Sequence, residues 1–391
     1  MNALGRRGSQ DARDELGLGS VRDTFADAFF PGLSTIQSRA RYFLFIQWCC
    51  ELASQEASES RIIATLRARE VEVINSLIAG KAGSGVIGVD KREDLERMPS
   101  EIYWSGLRTL GMRGRPGSIS AWARRVVLDR QAAKDAPAAD GHPAPSTTGF
   151  ATDRPEMPAL FASGGKLDFK LSREEARYLK ARFATATVNS REPVDCYNLM
   201  RTFQVHRGQL GFKLQLWEHP RMGHLEPDVR RLVELAKAFS LVMHGATLLY
   251  QRRVAALKAQ DPGGAMATYD ARAAGFADWV GKLDPEMVDR VARDLSLVIP
   301  LAAQTRHRID AAVLAFINQW VERCRLGEAL ITDEQAELLV SNREMSLKAR
   351  MGTSRIRSAA ARSRWKGDEA RPLEYRWGTA RTFLNDLASA G

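Results

Sequence analysis

Apolar positions along this chain recur at three- and four-residue spacing far more often than they alternate, so the pattern predicts a mainly α-helical protein. The first strong run, Tyr42 to about Glu51, is apolar almost all round, as in a helix buried on every side. Ahead of it, Ser34-Thr-Ile-Gln37 has the capping-box spacing, in which hydroxyl and amide satisfy free backbone N–H groups, so this helix is expected to open at Ser34. A second helix is predicted over Ser60 to Ala79, with Ile63, Leu66, Ile74, Leu77 and Ile78 on one side. Pro99-Ser100 and Ser118 open two more, and Ser172 with Glu175 forms a further box. A long helix fits about Pro227 to Lys258, in register through Val229, Leu232, Val233, Ala236, Phe239, Met243 and Tyr250. Asp284-Pro285 opens the next, Ile309 to Trp320 marks another, and Thr332-Asp-Glu-Gln335 caps one more.

Residues 1–20, rich in Gly, Arg and Asp, read as weakly ordered. Residues 131–166 change character: Pro137, Pro143, Pro145, Pro155 and Pro158 fall there among small and polar residues. Such a stretch buries too little apolar surface to fold by itself, so it reads as a linker. The expected organisation is a helical N-terminal domain over 1–130, the linker, and a larger helical C-terminal domain over 167–391.

The charge balance narrows the partners. With 57 Lys and Arg against 47 Asp and Glu, the net charge is +10, which attracts polyanions but says nothing of fold. Cys49, Cys50, Cys196 and Cys324 form no CxxC pair; Cys49 and Cys50 read as buried thiols, and a disulfide framework is not expected. The first twenty residues lack the apolar centre of a signal peptide, and no apolar run approaches the roughly 18 residues that cross a bilayer. The expected location is the cytoplasm, without a membrane partner.

Candidate chemistry is thin. Gly83-Ser-Gly85-Val-Ile-Gly88 matches G-x-G-x-x-G, but no strand precedes it and no helix follows, so it reads as a turn. Glu156 with Asp168 and Lys170 loosely matches the carboxylate-lysine set of metal-dependent nucleases, without the sheet that holds one rigid. His142, His206, His219, His224, His244 and His307 form no ligand pair; His219 and His224 read as solvated, and His244 as a core histidine beside Gly245. No catalytic residue, metal site or cofactor is therefore expected.

Two basic stretches suggest an interface. Residues 99–125 read as helix, glycine-bearing turn, helix, a possible helix-turn-helix longer in the turn than usual. Packing of Leu107, Leu110 and Met112 on Ile119 and Trp122 leaves Ser118, Ser120, Arg124 and Arg125 outward, with Arg113 and Arg115 in the turn. Residues 343–382 carry eleven Lys or Arg against four acids. There Arg355, Arg357, Arg362, Arg364, Trp365 and Lys366 suit phosphate contact with base stacking. Tyr375 and Trp377 flank Arg376 and serve equally as core anchors.

Asp14-Glu-Leu-Gly-Leu-Gly-Ser-Val-Arg-Asp23, followed by Phe29-Phe-Pro-Gly-Leu-Ser-Thr-Ile-Gln-Ser-Arg-Ala-Arg-Tyr-Phe-Leu-Phe45, resembles the opening signature of an uncharacterised bacterial family carrying a domain of unknown function. Pro99–Trp104, His244–Tyr250 and Tyr375–Trp377 are similar to it as well. Members tend to occur near phage-defence genes, among them helicases and phospholipase-D-like nucleases. The resemblance implies a defence context with DNA and a helicase or nuclease as partners, and it brings no catalytic residue. Similar proteins carry an extra helix ahead of Asp14, so apolar surface near Phe25 and Phe29 is expected to lie unpaired. The resulting expectation is a non-catalytic, nucleic-acid-associated accessory protein of an anti-phage system. The alternatives are a protein-binding scaffold and an unfamiliar nuclease.

Overall fold

The helices read from the apolar spacing form in that order, and further ones, among them Gly19–Phe29, Met266–Gly281 and Val298–Gln304, form where none was read. The computed structural model describes residues 14–135, 148–162, 165–187, 197–262, 266–367 and 370–390. The N-terminal half holds α1 (Gly19–Phe29), α2 (Tyr42–Ala53), α3 (Glu59–Ala79), α4 (Pro99–Thr109), α5 (Ile119–Asp135) and α6 (Arg173–Thr185). Then follow α7 (Pro227–Gln260), α8 (Met266–Gly281), α9 (Pro285–Asp294), α10 (Val298–Gln304), α11 (Ala311–Cys324), α12 (Glu334–Lys348) and α13 (Trp377–Ala388), with short helical turns between. The protein is mainly α-helical, and no strand forms among the described residues; one isolated antiparallel bridge joins Arg113 to Phe150.

Local chemistry sets most boundaries. The Ser172 hydroxyl accepts the Glu175 N–H at 3.1 Å and the Glu175 carboxylate accepts the Ser172 N–H at 2.8 Å, closing the box at α6. Asp284 caps α9 by accepting the Glu286 N–H at 2.9 Å. Two starts differ from expectation. The α2 helix opens at Tyr42, because the Ser38 and Arg39 N–H groups donate to the Tyr103 hydroxyl at 2.8 and 3.1 Å instead of winding into helix. The Gln37 side chain still accepts the Ser34 N–H, at 3.1 Å. At α12 the cap is Asp333, not Thr332; it accepts the Gln335 N–H at 3.0 Å.

The core forms around α7, buried along most of its 34 residues. Its own length and apolar composition meet the requirement for crossing a bilayer, contrary to the sequence reading that no run does so, but 67% of that apolar window is buried inside the fold. It is covered by the helices that follow it, α8 and α9, and also by groups from distant parts of the chain. Phe25 of α1 lies 6.0 Å from Phe239 and 5.3 Å from Tyr375, ring centre to ring centre. Phe25 and Phe29 are both fully buried, so the expectation of unpaired apolar surface there is corrected: α7 and Tyr375 cover it. The Tyr375 hydroxyl donates to the Ala236 carbonyl at 2.7 Å, and the Trp320 indole to that of Val242 at 2.9 Å. Trp279 lies against Gly245, where an added Cβ would sit 2.1 Å from the ring.

The α2 helix makes the other apolar centre. Phe43, Phe45, Trp48, Cys49 and Cys50 are buried there, and burial pushes both thiols well up. Part of the stretch read as a linker packs against it. Residues 131–135 finish α5, and 136–147 lie outside the described residues. Beyond them Phe150 packs on Trp104 and Trp122, Phe161 on Phe45 and Trp48, and the Trp48 indole donates to the Pro155 carbonyl at 3.2 Å. Composition dominated by proline and small residues hid these few aromatic anchors.

Both chain ends tie the halves together. Asp386 of α13 accepts three bonds from Arg39, at 2.9, 3.1 and 2.6 Å, and one from the Ala40 N–H at 2.9 Å. Asp27 pairs with Arg376 and, at 2.7 Å, with His307, while Glu15 meets Lys348 and Arg355.

Gly245→Ala forces the Trp279 ring off α7. Overpacking of this kind costs about 1–3 kcal/mol, which thermal or denaturant unfolding resolves. Unchanged stability would show that Trp279 is not seated as described.

Candidate nucleic-acid interface

The 99–125 segment does fold as two helices with a turn between them. Trp104, Trp122 and Phe150 meet edge to face at the joint, 5.9–6.2 Å apart. The Ser118 hydroxyl caps α5 by accepting the Ala121 N–H at 3.1 Å, and Ser118, Ser120, Arg124 and Arg125 all face solvent. Each cation of this group has a protein partner. Arg124 pairs with Glu59 of α3 at 3.0 Å, while Arg125, at 2.8 Å, and Arg115 share Asp129.

Arg113 requires a correction. It is buried, with its guanidinium 4.3 Å from the Trp104 ring centre, and it donates to the carbonyls of Arg115 and Trp104. Burial, helped by nearby Arg108, lowers it to about 10. Arg113 braces the turn from inside and is not placed to hold phosphate. A guanidinium can do this because its flat face stacks while its edge donates.

The C-terminal group divides in the same way. Arg362 is buried and forked onto Asp261 with two bonds of 2.7 Å, and it also donates to the carbonyls of Arg355 and Ile356. Arg355 pairs with Glu15, and its N–H donates to Glu344 at 2.8 Å. Trp365 is buried beneath Lys258, whose ammonium donates to the Trp365 carbonyl at 2.7 Å. Trp365 therefore offers no stacking face, and Arg362 and Arg355 act as internal braces, which corrects the sequence expectation for all three. Tyr375 and Trp377 are buried anchors as well. Arg357, Arg364 and Lys366 remain on the outer edge, exposed, with no acid among the described residues paired to them.

One basic surface escaped the sequence reading. From Tyr197 through Trp217 the chain carries Arg201, Arg207 and Lys213 and no acid. Phe212, within that stretch, is 86% exposed. The readable signal was the missing acids; attention to the larger C-terminal surplus obscured it.

Of the groups read for catalysis or ligand binding, Asp168 and His219 have partners elsewhere in the fold. The Gly83, Gly85 and Gly88 residues all have left-handed backbone, at φ of 78°, 104° and 81°, and form a turn. Asp168 receives Arg41 at 3.2 Å and its neighbour Lys170 N–H at 2.9 Å, while Glu156 is exposed. His142 lies outside the described residues. His219 is not solvated as expected: it is buried, stacked 3.8 Å from Phe203, and burial, then His206 and Arg221, lowers it to about 4. No group of three or more His, Cys, Asp or Glu converges as a metal site among the described residues. Clefts beside Leu52 and Phe161, and beside Tyr42 and Glu70, each offer about 10 Å³, the room of a single water. Small-molecule sites are typically hundreds of Å³.

Glu70 is the deepest acid near such a cleft. Its carboxylate accepts the Ser100 N–H at 2.6 Å and the Ser100 hydroxyl at 2.9 Å, capping the start of α4. Burial outweighs these bonds and raises it to about 7.

The fold defines a mainly α-helical protein, with Arg357, Arg364, Lys366, Arg207 and Lys213 among its exposed cations. The chain belongs to a family of unknown function (DUF6361), which it matches over residues 6–135 and 217–391. No curated protein and no solved structure matches it.

Glu70 gives a pH signature. Its folded value lies above the unfolded carboxylate value, so its contribution to stability is fully present below about pH 4.5 and is lost as pH rises toward 7. The loss amounts to roughly 3 kcal/mol at 1.36 kcal/mol per unit. Glu70→Gln keeps an acceptor for Ser100 and flattens this stretch of the stability profile. An identical profile in wild type and variant would show that Glu70 does not titrate in that window.

Proposed function

We propose that the chain is a non-catalytic accessory protein that associates with nucleic acid in the cytoplasm, serving an anti-phage system alongside a helicase or nuclease. The observation that carries the reading is the outer edge of the 355–366 segment. Arg357, Arg364 and Lys366 face solvent there without an acid partner among the described residues. Beneath them Arg362 on Asp261 and Trp365 under Lys258 fix the backbone. Cations on a fixed support meet phosphates without first ordering a loose segment. Arg124 and Arg125 provide a second contact, because both guanidinium groups are exposed and ion pairs open to solvent on one side, such as theirs with Glu59 and Asp129, yield to phosphate. The defence context rests on the opening signature and its resemblance to proteins near helicase and nuclease genes.

A salt titration tests the reading. If the three edge cations and the two of α5 neutralise about five phosphates, log K falls against log salt with a slope near −4.5. Raising salt from about 50 to 200 mM then weakens binding by roughly 500-fold. Replacing Arg357, Arg364 and Lys366 together by Ala reduces the slope by about three units. Arg362→Ala, which removes a brace, lowers the melting temperature and leaves the slope close to wild type. A triple variant with an unchanged slope contradicts the assignment of the edge. Absence of binding by the wild type at low salt rejects the reading and favours the protein-binding scaffold.

A further inference from the structure

The loop carrying Phe212 is fixed, not loose. Leu210 is buried, its N–H donates to the Asn385 side chain at 2.7 Å, and its carbonyl accepts from the same side chain at 3.1 Å. Gln209 donates to the Ser389 hydroxyl at 2.5 Å, and Arg381 donates to the carbonyls of Phe212 and Leu214. The last helix, α13, thus grips the loop on both sides of its tip. Phe212 nevertheless stands 86% exposed, with the Arg381 guanidinium 5.0 Å from its ring centre. Arg207 and Lys213 flank it, both exposed, and no acid occurs from Tyr197 through Trp217.

A single exposed apolar residue is ordinary by itself, but this ring is held in place by a well-bonded loop and set among cations. Its surroundings select what would cover it. Cations around the ring favour a polyanion, and an aromatic face held among cations suits a nucleobase whose own face is open. In a duplex those faces are already stacked, leaving the phosphates and the base edges in the grooves. We propose that Phe212, supported by Arg381 and flanked by Arg207 and Lys213, is a stacking platform for unpaired nucleobases on a phosphate backbone. The proposal rests on the nucleic-acid reading above and adds a preference for single strands. The loop lies between the two stretches that match the family, 6–135 and 217–391, so it is a feature of this chain beyond the matched residues.

The test compares full-length wild type, Phe212→Ala and Phe212→Trp, using labelled oligo-dT, oligo-U and a duplex of equal length. Stacking predicts that Phe212→Ala weakens single-strand binding by roughly 5- to 100-fold. Phe212→Trp retains it, duplex binding stays near wild type in both variants, and the salt slope is unchanged because no charge is removed. Loss with oligo-dT alone assigns the platform to DNA, loss with oligo-U alone to RNA, and either supports it. Because Phe212 packs little, the variants should melt with the wild type. Unaltered single-strand binding in Phe212→Ala overturns the platform while leaving the charge-based reading intact. Equal loss on duplex and single strand also overturns it. No binding of any oligonucleotide by wild type overturns both readings. Phe212-dependent binding to phosphatidylserine vesicles without oligonucleotide binding would assign the loop to a lipid surface instead.

Discussion

The need to cover α7 governs this structure. This 34-residue helix buries residues on most of its sides, and the helices that follow it, α8 and α9, cover only part of it. The chain therefore returns to it repeatedly. Phe25 arrives from the N-terminal end and packs on Phe239, while Tyr375 from the C-terminal end packs on Phe25 and bonds to the Ala236 carbonyl. Trp279 closes on Gly245, and Trp320 bonds to the Val242 carbonyl. Once both ends are committed to one helix, their polar groups come together as well. The pairs Arg39–Asp386, Asp27–Arg376 and Asp27–His307 join residues hundreds of positions apart.

The same packing sorts the cations. Arginines near the covering segments are drawn inward, where a stacked or forked guanidinium replaces lost water. Arg113 lies on Trp104, Arg362 forks onto Asp261, and Arg41 reaches Asp168 and Glu175. The remaining cations are left at edges whose backbone is already fixed. The count of 57 Lys and Arg thus overstates the free cations, but those at the 355–366 edge sit on a fixed support.

Much of the fold was legible because its signals are local. The box at Ser172, the Asp284-Pro285 start and the register of α7 each rest on neighbouring residues. The errors came where distant residues decided the outcome. Ser34 forms only part of a box because Tyr103, far along the chain, takes the N–H groups of Ser38 and Arg39. Residues 131–166 look unfoldable by composition, yet within them Phe150 and Phe161 find aromatic partners in α2, α4 and α5. The candidate interface was legible only in part, because charge in a sequence does not distinguish Arg362, a brace, from Arg364, an exposed edge. Phe212 went unnoticed because one apolar residue in a loop carries no period; only its exposure and its fixed support give it meaning.

The account holds that the two chain ends and α7 share one core, with the exposed cations and Phe212 mounted on it. Cooperativity is its most direct consequence. Differential scanning calorimetry of the full chain should show one transition whose calorimetric and van't Hoff enthalpies agree, because uncovering α7 exposes both ends of the chain together. Two separated transitions, or a calorimetric enthalpy well above the van't Hoff value, would show that the halves unfold independently and would contradict a shared core.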